Sequence, residues 1–236
     1  GDGKIEARIE KHNDDGSRIV SFRVVGQPDD TDPGPALELA GDLPLPPYIT
    51  NRAFDLGRYQ TVFSARDGSL AASTAGLHFT PEYLDKLVHS GIGIARVTLH
   101  VSIGTFRPIR AETIDGYEMY PERIEVSPET ARAVRETKDS GRRVFAVGTT
   151  VVRSLESAAL RSGRVEPMAG ETRLFISPGF EFRAVDALLT NFHLPRSTLI
   201  VLAAAFAGME NVRRAYTAAL ERDYRFLSLG DAMLII

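Results

Sequence analysis

Arg142-Arg143-Val144-Phe145-Ala146-Val147-Gly148-Thr149-Thr150-Val151-Val152 decides the fold. A strand-length stretch from Arg142 to Val147 meets a glycine turn, and Thr149-Thr150 then cap a helix that the sequence carries through Leu160. The unit is therefore strand, turn, helix. It places two hydroxyls and free N–H groups at a helix N-terminus, where an anionic group is favoured. Neither a G-x-G-x-x-G run nor a Walker sequence is present, so the ordinary nucleotide-binding loops gain little support. Arg153 and Glu156, one turn along, read as an ion pair within the helix.

Working upstream, the same alternation of strand and capped helix recurs. Thr80-Pro81-Glu82 starts a helix that Gly91 closes, and Ser127-Pro128-Glu129 starts another that ends at Gly141. Between them Ala95, Val97, Leu99, Val101 and Ile103 face one way, and Arg96, Thr98, His100 and Ser102 the other, which predicts a strand. Tyr117 to Val126 reads as an extended stretch rich in carboxylates. Downstream, Thr172 to Ser177 predicts a strand, Leu199 to Ala207 a helix behind Ser197-Thr198, and Val212 to Leu220 lies in a further helix. The tail from Tyr224 to Ile236 ends as a strand. At the other end, Lys4–Ile9 and Arg18–Val25 alternate around Asn13-Asp14-Asp15-Gly16, a β-hairpin pattern. Gln27 to Pro35 reads as a mobile connection, and Leu43 to Ile49, rich in proline, as a domain connector. The fold class is α/β: a mixed-sheet main domain over residues 43–236, with residues 1–42 a β-hairpin and linker in front of it.

Composition narrows the chemistry. The 236 residues are 43% hydrophobic, enough for a core, and contain no cysteine. Disulfides, thiolate metal sites and a cysteine nucleophile are thereby excluded. A net charge of −3 argues against a generic polyanion binder. No apolar run reaches membrane-spanning length. The chain begins at Gly1, without Met or a signal peptide, as a trimmed or partial chain would.

Three histidines stand among polar or small residues. His78 follows the small-residue loop Leu70-Ala71-Ala72-Ser73-Thr74-Ala75-Gly76-Leu77, just ahead of a helix N-terminus; it is either a site residue or a half-buried histidine in a tight connection. His100 lies on the polar face of its strand, flanked by Thr98 and Ser102. His193 belongs to Asp186-Ala187-Leu188-Leu189-Thr190-Asn191-Phe192-His193-Leu194-Pro195-Arg196-Ser197-Thr198. His89, late in a helix, needs no function. Glu122 offers a carboxylate for acid or base work, and Arg107 a cation at the end of the strand. There is no G-x-S-x-G and no H-E-x-x-H.

Four segments together resemble one family. They are Ala71–Phe79, Val97–Pro108 (VTLHVSIGTFRP), Val144–Ala159 (VFAVGTTVVRSLESAA) and Asp186–Thr198 (DALLTNFHLPRST), with PLPPYI at 44–49 and YRFLSLGDAMLI at 224–235 in support. The chain resembles the S-adenosylmethionine:tRNA ribosyltransferase-isomerase family of the queuosine pathway. The resemblance implies transfer of the ribosyl part of S-adenosylmethionine onto the aminomethyl group of preQ1 at the tRNA wobble position. Adenine and methionine leave, and the rearranged sugar gives epoxyqueuosine. It further implies a cytoplasmic monomer that takes S-adenosylmethionine as ribosyl donor, binds the anticodon region of tRNA, needs no metal and touches no membrane.

On the matching positions His78, His100, His193 and Glu122 are expected to be catalytic. Thr149, Thr150 and Arg153 are expected to hold the methionine carboxylate or a tRNA phosphate, and Thr74, Gly76, Thr105, Arg107 and Asn191 to line the site. The chain departs from the family at Ser73, where proline is usual, at Tyr117 and Tyr120, where histidines are usual, and at Leu227 and Leu229, where aromatics are usual. Family members also carry a further N-terminal portion, so the hairpin is expected to be the last piece of a small β-barrel. Two other functions follow from divergence: a tRNA binder without turnover, or an enzyme cleaving an adenosyl or nucleoside substrate without tRNA.

Overall fold

The computed structural model describes residues 4–13, 16–42, 44–46, 48–50, 55–102 and 108–236. They fall into two compact units, Gly1–Pro47 and Tyr48–Ile236. In the first, β1 (Ile5–His12) and β2 (Arg18–Val24) form the expected antiparallel hairpin, with Ile5 opposite Val24 and His12 opposite Arg18. Helix α1 (Gly34–Ala40) starts within the last two residues of the expected mobile connection. Proline at its start loses no helical hydrogen bond, and Asp32 Oδ1 accepts the Gly34 N–H at 2.9 Å, so the stretch turns into a helix.

The second unit opens with short 3-10 turns at Leu56–Tyr59 and Thr74–His78. Helix α2 (Pro81–His89) follows, its N-cap Thr80 accepting the Tyr83 N–H at 3.2 Å. Strand β3 (Thr98–His100) is only three residues long, where the alternation from Ala95 predicts a longer one; Ile103, the last residue of that prediction, lies outside the described residues. The reason is competition for its backbone. The Val101 N–H donates to Ser69 Oγ, the Val101 carbonyl accepts from Leu70, and the Ser102 N–H donates to Glu122 Oε1. Val101 is buried as predicted.

Strand β4 (Glu122–Val126) runs into helix α3 (Pro128–Asp139), capped by Ser127. Then come β5 (Phe145–Val147), α4 (Thr149–Ala159) and β6 (Met168–Thr172). The N-cap of α4 is Gly148 rather than a threonine. The strand expected at 172–177 lies earlier, because Thr172 Oγ1 accepts the Leu174 N–H and draws the chain out of the ladder. Strand β7 (Ala187–Asn191), helices α5 (Thr198–Ala207) and α6 (Met209–Glu221), and strand β8 (Ala232–Ile235) complete the unit.

Among the described residues, two three-stranded sheets result. One is antiparallel, in the order β3-β4-β6; the other is mixed, in the order β5-β7-β8, with β5 parallel to β7 and β8 antiparallel to it. Helix α4 touches β3, β4 and β6 of the first and β5 and β7 of the second. Every residue from Val152 to Ala159 is consequently buried, around a core that includes Val126, Val134, Ala146, Leu188 and Leu202. Its polar side chains must then find partners inside the protein. Glu156 does so with three backbone N–H groups, those of Arg183, Ala184 and Val185, at 2.9–3.0 Å. The intrahelical pair of Arg153 with Glu156 is not what forms; Arg153 turns to β4 instead.

Parallel pairing of β5 and β7 has one consequence for function. Each strand is followed by a helix, so α4 and α5 begin at the same end of the sheet. That end, beyond the carboxyl termini of parallel strands, is where open α/β sheets bind ligands.

Candidate functional site

At this end the segments singled out in the sequence come together. The turn Thr74–His78 lies on β7. Asn191, the last residue of β7 and fully buried, accepts from Thr74 Oγ1 at 3.1 Å through its Oδ1. Its Nδ2 reaches both the Leu227 carbonyl at 3.2 Å and His78 Nε2 at 3.3 Å. A carbonyl only accepts, so the atom facing Leu227 is the amide nitrogen, and its second hydrogen points at His78. The Nε2 of His78 must therefore present its lone pair, and the neutral ring carries its proton on Nδ1. His78 is exposed on its other side, so it offers an N–H donor to anything bound there.

Beside it, Ser73 Oγ hydrogen-bonds Thr150 Oγ1 at 2.9 Å and fastens the loop to the N-terminus of α4. The serine thus uses the hydroxyl that the usual proline lacks. Gly148 makes the approach possible. It sits at φ 96°, and a Cβ there would stand 2.5 Å from Ser73 Oγ. The position of Gly76 is explained by packing, since a Cβ there would press on Phe63 and Thr61.

Deeper in, Glu122 and Arg153 form a buried ion pair, the guanidinium Nη1 on Glu122 Oε2. Glu122 Oε1 accepts the Ser102 N–H at 3.1 Å, and Arg153 Nε donates to the Leu174 carbonyl at 3.0 Å. Removing either partner would strand a buried charge, a loss of about 3–5 kcal/mol. Met119, from the carboxylate-rich stretch, is buried nearby, and Tyr117 stacks on Phe175 with ring centroids 4.9 Å apart.

The remaining histidines are placed differently. His100 stands opposite Arg123 in the β3–β4 ladder, half-buried, with its Nδ1 buried and without a hydrogen-bond partner. Gly68 covers that nitrogen, where a Cβ would come within 3.0 Å. His193 points at the α6 side of the sheet. Its Nε2 bonds Thr190 Oγ1 and its N–H donates to the Tyr216 hydroxyl, both at 2.7 Å. Burial pushes its imidazole down to about 4, so it is neutral and weakly basic near pH 7. Thr105 and Arg107 lie outside the described residues. Asp186 fixes structure, accepting from Lys138 Nζ and the Val144 N–H.

Sequence reasoning placed the last strand of the tail, β8, but gave the turn before it no part in the site. Leu227, at φ 71°, sends its carbonyl to Asn191 and its N–H to Phe192. A turn closed by Asp231 on the Arg225 backbone holds it there, and a Cβ at Gly230 would fall 2.4 Å from the Arg225 carbonyl oxygen. Tyr48 joins this turn through Ser228 Oγ at 2.6 Å. A backbone carbonyl leaves no mark in a sequence; only the length of the tail motif hinted at the turn.

The family profile described as "Queuosine biosynthesis protein" matches residues 4–235. The chain belongs to the queuosine biosynthesis protein family. Within it, the S-adenosylmethionine:tRNA ribosyltransferase-isomerase of Halothermothrix orenii is 49% identical over 236 residues, covering all of this chain and 68% of the relative. That of Heliobacterium modesticaldum is 50% identical over 239 residues, with 68% of the relative covered. The crystal structure of S-adenosylmethionine tRNA ribosyltransferase from Thermotoga maritima is similar over the whole chain, at 39% identity and a TM-score of 0.58. It is matched over 63% of its own length. The chain thus spans about two thirds of the length of the family members it matches. Among the described residues no helix is long and apolar enough to cross a membrane.

Proposed function

We propose that this chain carries the ribosyl-transfer chemistry of its family. The ribosyl part of S-adenosylmethionine moves onto preQ1 at the wobble position of a tRNA, giving epoxyqueuosine and releasing adenine and methionine. One observation carries the reading. The loop with His78, the start of α4 and the end of β7, three separate motifs of the resemblance, are joined by direct hydrogen bonds at one end of the β5–β7 sheet.

The chemistry needs a base for a C5′ hydrogen acidified by the sulfonium, a donor to the departing adenine, and an anion receptor for the methionine end. His78, with its proton on Nδ1, serves as donor toward the bound group. We assign the base role to His100, whose Nδ1 has no hydrogen-bond partner among the described residues. Glu122 acts through Arg153, fixing the guanidinium beside Thr149 and Thr150 rather than moving a proton itself. Thr74 and Asn191 hold the His78 ring in register. His193, neutral and hydrogen-bonded inward, supports the end of β7. The anticodon nucleotide must be turned out of its stack to reach this end of the sheet. We further infer that the hairpin of β1 and β2 belongs to a small β-barrel, and that the enzyme works in the cytoplasm without a metal.

Adenine release from S-adenosylmethionine, followed with and without preQ1-containing tRNA, tests the reading. Release that requires the tRNA is the expected result. Release without tRNA would replace the reading with cleavage of a small adenosyl substrate, and tRNA binding without release would leave a binding protein.

A further inference from the structure

Arg153 and Thr198 are each about 5% exposed, yet two of their polar atoms, Arg153 Nη2 and Thr198 Oγ1, are buried without a hydrogen-bond partner. Such atoms are uncommon in folded proteins and call for an explanation. Both residues line one small cavity, together with Thr149, Thr150, Met119 and Phe175. The cavity measures about 10 Å³, room for about one water-sized group. It lies where α4 and α5 begin. The N-cap of α4 is a glycine with no side chain to cap its first turn, whereas Ser197 caps α5 through the Ile200 N–H.

The helix N-termini favour an anion here. Arg153 is matched by Glu122, and the two helix N-termini add about half a positive charge each. The size excludes a base, a sugar or a thioether, and admits one oxygen of a small acid. We propose that this cavity receives one carboxylate oxygen of the donor's amino-acid end, with Arg153 Nη2 and Thr198 Oγ1 both donating to it. The assignment rests on the functional reading above and adds Thr198 as a binding residue.

Calorimetric titration of the 236-residue chain with S-adenosylmethionine and with its decarboxylated analogue tests the assignment. The intact ligand should bind at least tenfold more tightly, as hydrogen bonds to a charged group imply. Thr198→Val should weaken the intact ligand about tenfold and the decarboxylated one less than twofold, and Thr198→Ser should restore the preference. If both ligands bind the unaltered chain equally, the cavity holds only a water and the proposal falls while the functional reading stands. That comparison does not depend on the folding of any variant. Equal weakening of both ligands by Thr198→Val would also overturn it. If neither ligand binds, the reading of the donor fails and takes the proposal with it.

Discussion

Asn191 shows how much one side chain can settle. It has three described partners, and because the Leu227 carbonyl can only accept, the other two interactions are assigned by elimination. Replacing it by Asp removes the donor to His78 Nε2 and sets a carboxylate oxygen against the Leu227 carbonyl. The His78 proton should then move to Nε2, visible in the ¹⁵N shifts of the ring, and adenine release should fall about tenfold or more, as loss of a positioned donor implies. An unchanged tautomer would show that Asn191 does not orient the ring. His193 makes a different prediction. Its folded value of about 4 lies below the ordinary 6.5, so the unfolded chain binds the proton more readily. The stability from burying the neutral ring is complete above about pH 6.5 and is lost as pH falls toward 4, by up to about 3 kcal/mol. Urea unfolding across that range should show the slope, and His193→Gln, which keeps an acceptor or donor for Thr190, should flatten it.

At the scale of elements, α4 is the member on which both sheets depend. Its polar residues do not face water. Glu156, whose carboxyl burial pushes above its usual range, gathers the three N–H groups of residues 183–185 just ahead of β7. Glu156→Gln turns one of those acceptors into a donor facing an N–H, and should cost about 1–3 kcal/mol in urea unfolding. No loss would mean that the three bonds add nothing beyond what water provides. Three helix caps were legible in the sequence, while that of α4 fell on Gly148 rather than on the expected threonines. Thr80, Ser127 and Ser197 are where the pattern put them, because a cap is a local interaction of a few residues. Strand lengths were not. Strand β3 stops after His100 because Ser69 and Glu122, distant in sequence, take its backbone hydrogen bonds. The partner of Arg153 was unreadable for the same reason. A helical spacing suggested Glu156, but burial between two sheets brought Glu122 closer.

For the molecule as a whole, the sequence showed the α/β class and the motif segments, and the fold shows why three of them are kept together. Parallel pairing of β5 and β7 starts α4 and α5 at the same end of the sheet, and the loop of His78 is fastened to the start of α4 and the end of β7. No local pattern could reveal that pairing, since it is made across a long crossover. The last strand of the tail was legible, but the part of its turn was hidden, since a main-chain carbonyl plays it. The most direct measurement is mass spectrometry of nucleosides from preQ1-containing tRNA incubated with this chain and S-adenosylmethionine. An epoxyqueuosine nucleoside with one adenine released for each is the expected result. Unaltered preQ1 and no free adenine would contradict the proposed chemistry.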